Sequence, residues 1–252
     1  MEPYIIEKRS DNYILFTINR HEKRNAISFE VMDGLEKAIN LAKEQNVKAL
    51  VITGAGESAF CSGGDLSVFH GLKTEEQAYG MLSKMSNILY RLLTLEIPTV
   101  ALMNGVAVGG GCELAISCDY RIAKEGIKAG FVQGYLAITS GWGGGTMLVE
   151  KMQSNHAEQM LMEAKLNHTD KLLQIGFIDS VYSGDSLEAC EQFLKNMTDK
   201  QVEVLKAYKS ILIRKWEQSN LKGRIDEEVR RCAVLWADEA HHEAVANFIA
   251  KK

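Results

Sequence analysis

Two glycine-rich stretches decide the fold of this chain: Ala59-Phe-Cys-Ser-Gly-Gly-Asp-Leu66 and Asn104-Gly-Val-Ala-Val-Gly-Gly-Gly-Cys-Glu-Leu114. Each follows an apolar run that is typical of a buried strand, and the second leads into a small-residue helix at 112–118. Glycine allows the backbone to approach a ligand and to expose its N–H groups. Two such groups from separate turns would hold one developing oxyanion, with Glu113 beside it as an acid or base. Each stretch taken singly is more simply an ordinary tight turn.

Strands and helices alternate on either side of these stretches. Before residue 186 the sequence predicts strands at 12–19, 48–53, 98–104 and 119–123, and helices at 29–45 and 74–95. This alternation is typical of α/β architecture. After about residue 186 the apolar residues recur three or four apart, which predicts helices at 187–197, 202–216, 225–236 and 243–250.

The change of pattern predicts a boundary near residue 185. Residues 1–185 would form the α/β core, and residues 186–252 a helical C-terminal region. Apolar helices at the end of a chain often pack on a neighbouring subunit, and packing on their own core explains them equally well.

The composition excludes several classes of protein. Of the 252 residues 46% are apolar, which is enough for one large core and excludes overall disorder. The 29 basic and 33 acidic residues give a net charge of −4 without any basic run, which argues against nucleic acid as a partner. No stretch approaches the roughly 18 apolar residues of a membrane span. The first residues lack the pattern of a signal peptide, so we expect no membrane association and a cytoplasmic location.

The five cysteines predict reduced, buried thiols. Their number is odd, they are widely spaced, and no C-x-x-C pair occurs among them. The His241-His242 pair has no cysteine or carboxylate at ligand spacing, so the sequence predicts no metal site.

One further glycine motif resembles a dinucleotide-binding fingerprint. Gly54-Ala-Gly-Glu-Ser-Ala59 follows a strand and fits G-x-G-x-x-A. That fingerprint needs a helix whose N-terminus meets the pyrophosphate, whereas the residues that follow here, with Gly63 and Gly64, form helices poorly. We therefore predict that this segment does not bind a nicotinamide cofactor.

Taken together, the two glycine-rich stretches resemble the enoyl-CoA hydratase/isomerase (crotonase) family. The match rests on A-F-x-x-G-x-D-L and N-G-x-A-x-G-G-G-x-E, about 45 residues apart, and it covers roughly residues 5–185. It extends to Asn19-Arg20, Arg24-Asn25-Ala26, Ile97-Pro98, Cys118-Asp119 and Gly141-Trp142-Gly143-Gly144-Gly145-Thr146. The resemblance implies a crotonase-like spiral of ββα units with a helical C-terminal part, assembled as a homotrimer or hexamer. It also implies an acyl-CoA thioester as substrate, with no cofactor beyond that coenzyme A.

The resemblance also implies roles for individual residues. The backbone N–H groups of Gly64 and Gly110 match the two donors that polarise the thioester carbonyl, and Glu113 matches the first of two catalytic glutamates. Arg24 would meet a phosphate of the nucleotide or remain a solvated side chain. Asp65 would cap a helix or turn rather than take part in catalysis. The positions that match the family's coenzyme A contacts are Arg24, Ala26, Ser62, Asp65 and Leu66.

The chain departs from the family pattern at the second catalytic glutamate. An ungapped match places Gln133 there, a gapped match places Gly134 or Tyr135, and no Asp or Glu occurs between residues 126 and 148. Glutamine cannot exchange a catalytic proton, so hydration by two carboxylates is expected to be slow or absent.

Several reactions therefore stay open at the level of sequence. One base still permits isomerisation, and decarboxylation needs only the oxyanion hole to stabilise the enolate. The Gly141-Trp142-Gly143-Gly144 segment is similar to family decarboxylases that act on small methylmalonyl- or ethylmalonyl-CoA substrates. Uncharged Gln133 and Tyr135 would then receive the substrate carboxylate without repulsion, or only line the wall. A non-catalytic binding protein with the family fold is a further alternative.

Overall fold

The computed structural model describes residues 2–44 and 46–250. Its strands are β1 (Tyr4–Lys8), β2 (Tyr13–Ile18), β3 (Ala49–Gly54), β4 (Ala59–Cys61), β5 (Thr99–Met103), β6 (Val106–Val108), β7 (Tyr120–Lys124), β8 (Lys128–Gly130), β9 (Asn167–His168) and β10 (Ser180–Tyr182). Its helices are α1 (Phe29–Leu41), α2 (Leu66–Phe69), α3 (Glu75–Leu93), α4 (Gly110–Ser117), α5 (Gly144–Lys151), α6 (Ser154–Glu163), α7 (Thr169–Gln174), α8 (Ser186–Thr198), α9 (Val202–Gln218), α10 (Leu221–Trp236) and α11 (Glu239–Ala250).

The strands form two sheets that the chain enters alternately. The larger sheet has the order β1-β2-β3-β5-β7-β10, with only the β1–β2 edge antiparallel, and the smaller has the order β4-β6-β8-β9. Each of β3, β5 and β7 in the larger sheet is followed by a short strand of the smaller sheet and then by helix. This repeat confirms the predicted spiral of ββα units.

The predicted long elements are present, and their ends follow from local chemistry. Helix α3 begins after Thr74, whose hydroxyl accepts the N–H of Gln77 while the Gln77 side chain accepts the N–H of Thr74. The helix predicted at 29–45 ends as α1 at Leu41, and Gln45 lies outside the described residues. The helix predicted at 112–118 begins earlier, at Gly110.

The segment that resembles a dinucleotide fingerprint contains no helix. Gly54 ends β3, and residues 59–61 form β4 directly afterwards. The fingerprint requires a helix N-terminus at this point, and the segment has none.

The C-terminal helices have two different environments. The apolar side of α10, with Ile225, Val229 and Trp236, belongs to the main buried core. The apolar side of α9 is exposed, and Tyr208 on it is 70% exposed. No helix in the described ranges has the length and apolarity needed to cross a bilayer.

Candidate active site

The two glycine-rich turns lie in contact because β4 and β6, which precede them, are neighbours in the smaller sheet. Gly63 has a φ of +91°, and a β-carbon added to it would lie 3.1 Å from the backbone nitrogen of Gly110. The first turn is also bonded to Ile27, whose N–H donates to the Gly63 carbonyl at 2.8 Å and whose carbonyl accepts the Asp65 N–H at 2.9 Å. Glycine at 63 is therefore required by both conformation and space.

The backbone N–H groups of Gly64 and Gly110 are open. Within residues 2–44 and 46–250, neither donates to any group of the chain. Their neighbours are engaged, since the N–H of Gly109 donates to the Gly130 carbonyl at 2.9 Å. Gly110 is the first residue of α4, where an N–H has no partner inside the helix and the helix dipole is positive. The adjoining turns thus carry two backbone donors that the described part of the chain does not use.

The indole of Trp142 packs against both of these glycines. A β-carbon added to Gly110 would lie 2.3 Å from Cζ3 of the ring, and one added to Gly64 would lie 3.6 Å from Cζ2. Trp142 itself is only 4% exposed. No side chain larger than hydrogen fits at position 110 while the indole stays in place.

Glu113 is held by four donors. Its Oε1 accepts from Gln133 Nε2 at 3.0 Å and from the Gly141 N–H at 3.3 Å, and its Oε2 accepts from the N–H groups of Trp142 at 2.8 Å and Gly144 at 2.9 Å. The side chain is 2% exposed. Burial, and then the charge of Glu228, raise the pKa of Glu113 to about 7, although the backbone N–H groups act in the opposite direction.

Gln133 lies beside Glu113, at the start of a 3₁₀ turn over Gln133–Leu136. Its amide is also close to Gly109, since a β-carbon added there would lie 3.6 Å from Cδ of Gln133. Tyr135 points away into solvent and is 71% exposed. The structure therefore brings Gly64, Gly110, Glu113 and Gln133 into one cluster.

A second carboxylate, from Glu228 of α10, approaches the same segment from the other side. Its Oε1 accepts from Ser140 Oγ at 2.6 Å and from the Gly145 N–H at 3.0 Å, and its Oε2 accepts from the Thr146 N–H at 2.6 Å. The sequence interpretation missed this residue. It lies more than 80 positions along the chain from its partners, in a helix that looks like many others, so no local pattern marks it.

The positions matched to coenzyme A contacts are brought together beside the first turn. The N–H of Ser62 donates to the carbonyl of Arg24 at 3.1 Å, and Arg20 joins the two loops by bonding both the carbonyl of Ala26 and Asp65 Oδ2. The Arg24 side chain is exposed, with φ of +53° at its α-carbon. These contacts join the loop that carries Arg24 and Ala26 to the turn that carries Ser62, Asp65 and Leu66.

The carboxylate of Asp65 is already engaged within the protein. It pairs with Arg20 Nη2 at 2.6 Å, and its other oxygen accepts the Ser67 N–H at 3.0 Å as the cap of α2. The predicted capping role of Asp65 is confirmed. Burial raises the pKa of Asp65, but the hydrogen bonds from Ser67 and Arg20 outweigh it and hold the pKa below its ordinary value.

All five cysteines are free and buried, as the sequence predicted. In the described part of the chain, no group of three or more histidine, cysteine, aspartate or glutamate side chains could hold a metal ion.

Comparison with known proteins assigns the chain to a family. The family model described as Enoyl-CoA hydratase/isomerase matches residues 8–252. The chain belongs to the enoyl-CoA hydratase/isomerase family. The predicted family and fold are therefore confirmed, and the protein is an acyl-CoA enzyme of this family.

Individual relatives of this family enzyme carry different activities in their names. It is 31% identical to an ethylmalonyl-CoA decarboxylase of Xenopus laevis over 96% of its own length and 81% of the relative's. It is 28% identical to a short-chain-enoyl-CoA hydratase of Clostridium acetobutylicum, over 98% and 95% of the two chains. An enoyl-CoA hydratase structure from Bacillus halodurans matches its fold with a TM-score of 0.88 at 22% identity, covering 97% and 99% of the two chains.

Proposed function

We propose that this enzyme decarboxylates a small alkyl-substituted malonyl-CoA, such as a methylmalonyl or ethylmalonyl thioester. The observation that carries the proposal is the environment of Glu113, whose two oxygens are occupied by four donors from the protein itself. One of those donors is Gln133, the residue that an ungapped match puts at the position of the second glutamate of family hydratases. The similarity to ethylmalonyl-CoA decarboxylases supports the same reaction.

Hydration needs more from this site than it offers. A water molecule must be deprotonated as it adds, and a proton must be delivered to the α-carbon, for which two carboxylates are used. Glu113 would have to leave at least one of its hydrogen bonds to meet a water molecule, and Gln133 can neither accept nor donate a catalytic proton. Decarboxylation places neither demand on a side chain.

The proposed reaction uses the two open N–H groups. The thioester oxygen of the substrate accepts from Gly64 and Gly110, which polarises the carbonyl. The bond between the α-carbon and the carboxylate then breaks, its electron pair moves into the enolate, and carbon dioxide leaves. A proton from water completes the saturated acyl-CoA. The two donors stabilise the enolate oxygen, and each is worth about 3 kcal/mol in such sites.

The proposed substrate is held by the surrounding positions. In this proposal Arg24, Ala26, Ser62 and Leu66 contact the coenzyme A moiety, while Asp65 maintains the loop through its bond with Arg20. Gln133 is uncharged, so it does not repel a substrate carboxylate as a glutamate at that position would. No cofactor other than the coenzyme A of the substrate is needed.

Hydration or isomerisation with Glu113 as acid and base is a second candidate. The pKa of Glu113, raised to about 7 by burial and by Glu228, suits proton transfer near neutral pH. The similarity to a short-chain-enoyl-CoA hydratase also favours it.

Incubation with a panel of thioesters separates these reactions. Methylmalonyl- and ethylmalonyl-CoA, crotonyl-CoA and a 3-enoyl-CoA are each mixed with the enzyme, and the products are followed by mass spectrometry. Loss of carbon dioxide from the malonyl substrates alone supports the proposal, whereas gain of water by crotonyl-CoA or a shifted double bond at constant mass contradicts it. If every thioester binds but none reacts, the protein is a binding module.

We also propose a homotrimer or hexamer that forms through the exposed side of the helical region 186–252, whose helix α10 packs on the α/β core at 1–185. The exposed apolar side of α9, which includes Tyr208 and Ile211, supports an interface there. Light scattering after gel filtration measures the assembly, and a monomer would contradict it. A cytoplasmic location without nucleic acid as a partner is proposed from the net charge of −4 and the free thiols.

A further inference from the structure

The segment Ser140–Thr146 joins the two carboxylates to the two glycine-rich turns. Glu113 accepts the N–H groups of Gly141, Trp142 and Gly144, and Glu228 accepts those of Gly145 and Thr146. The backbone of this segment is therefore fixed from α4 on one side and from α10 on the other. Its one large side chain is Trp142, and the indole ends against Gly64 and Gly110.

We propose that Trp142 is a positioning residue that fixes the positions of the Gly64 and Gly110 N–H groups, and that Glu113 and Glu228 hold it in place. This inference rests on the proposed oxyanion hole, but not on which thioester the enzyme transforms.

The packing gives the indole this role. It is buried and lies beside both glycines, so neither turn can shift toward the indole without displacing the ring. Phe69 supports the first turn, since a β-carbon added to Gly64 would lie 3.0 Å from its Cδ2. On the opposite side, a β-carbon added to Gly143 would lie 2.6 Å from Cγ2 of Ile225, so α10 closes the space behind the segment.

The two carboxylates prevent the indole from withdrawing. The N–H of Trp142 itself donates to Glu113. Glu228 accepts from Ser140, just before the Gly141–Gly144 run, and from Gly145 and Thr146, just after it. Donors of an oxyanion hole must be placed to within a fraction of an ångström for full effect. We therefore expect a change at Trp142 or Glu228 to act on the reacting oxygen through the positions of these donors.

The test measures carbonyl polarisation independently of turnover. The enzyme is saturated with butyryl-CoA carrying a ¹³C-labelled thioester carbonyl, which cannot be decarboxylated, and the carbonyl stretch is recorded by infrared difference spectroscopy. In the wild-type enzyme we expect a shift to lower frequency relative to the free thioester. In Trp142→Ala we expect most of that shift to be lost and kcat to fall on the order of 100-fold, with binding of free coenzyme A retained.

Two further variants make the result independent of the folding of Trp142→Ala. Trp142→Phe and Glu228→Gln are expected to lose part of the carbonyl shift and to lower kcat rather than raise KM. Trp216→Phe is the matched control, because Trp216 is equally buried, at 3% exposed, but lies on α9, where the ammonium groups of Lys151 and Lys209 are each 5.8 Å from its ring centroid. It is expected to keep the wild-type spectrum and kcat.

The outcomes separate this inference from the proposed reaction. A wild-type carbonyl frequency in Trp142→Phe and Glu228→Gln overturns the positioning role, even if carbon dioxide is released normally. Loss of the shift in these variants upholds it, even if the wild-type enzyme decarboxylates nothing. The absence of any shift in the wild-type enzyme overturns both the positioning role and the oxyanion hole.

Discussion

Two glycine-rich parts of this molecule have similar sequences but differ in whether their backbone N–H groups have an acceptor. At Gly64 and Gly110 the N–H groups find no acceptor in the described part of the chain, whereas the N–H groups of Gly141, Gly144 and Gly145 all donate to carboxylates. Glycine makes both backbones possible, but it does not decide which one remains open to a ligand. That is decided by the side chains that distant helices bring to the second segment.

The difference in hydrogen bonding gives the two parts different roles at the site. Open donors suit a charge that develops in a substrate, while paired donors make a rigid support whose buried polar groups are satisfied. Under the proposed function, Glu113 belongs to the support, although its sequence position next to Gly110 is that of a catalytic group.

The largest expected effect comes from adding a side chain at Gly110, beside the two open N–H groups. In Gly110→Ala the new methyl group would meet the indole of Trp142 at 2.3 Å, so the ring or the turn must move. We expect kcat/KM to fall about 100- to 1,000-fold, as on loss of an oxyanion-hole donor. Steady-state kinetics on the substrate found in the thioester panel provides the measurement.

A glycine in open space is the control for this change. In Gly80→Ala, within α3, the added methyl group has nothing within 4 Å, so activity should stay at the wild-type level. If Gly110→Ala were as active as Gly80→Ala, the second turn would not take part in the reaction.

The next effect tests whether Glu113 supports the site or exchanges protons. Glu113→Gln keeps the size of the side chain but turns an amide group toward backbone donors, which should lower the free energy of unfolding by about 1–3 kcal/mol. We expect any hydration or isomerisation to disappear, while decarboxylation is weakened only about tenfold, or about 1.4 kcal/mol. Chemical denaturation and the thioester panel give the two values, and complete loss of decarboxylation would assign Glu113 to the chemistry.

The smallest effect is a pH dependence of stability. Burial and the charge of Glu228 raise the pKa of Glu113 from 4.5 to about 7, so the folded protein holds this proton more tightly than the unfolded chain. The associated stabilisation is complete below pH 4.5 and is lost as the pH rises to about 7, with an upper limit of about 3 kcal/mol. Urea denaturation between pH 4.5 and 8 measures it.

Two variants sharpen this pH prediction. The Glu113→Gln protein should lack the contribution, and the Glu228→Gln protein should show it at lower pH because one repelling charge is gone. An unchanged profile in both would mean that Glu113 keeps an ordinary pKa.

The sequence was sufficient for the fold and for the open turns, because these depend on local signals. Alternating strands and helices, the Thr74 cap and the two glycine stretches are each encoded within a few residues. The edge strand β1 was missed, since Tyr4–Lys8 is short and half exposed and owes its conformation to pairing with β2.

The support behind the site could not be predicted in the same way. The bond from Glu228 to Ser140 spans 88 positions. Three of the four donors around Glu113 come from the turn at 141–144 and the fourth is the side chain of Gln133, and tertiary packing brings them together. A motif can name Glu113 and still not tell whether its oxygens face a ligand or the protein's own backbone.

The buried cysteines allow local opening of each of these segments to be measured by alkylation. Cys61 precedes the first turn, Cys112 lies in the helix after the second, and Sγ of Cys232 would be 2.8 Å from a β-carbon on Gly141. Burial raises the pKa of Cys61 and Cys232 to about 12, so an alkylating reagent reacts with them only when the surrounding structure opens. The rate at which each thiol is alkylated therefore measures how often the two glycine-rich turns and the segment Ser140–Thr146 open locally.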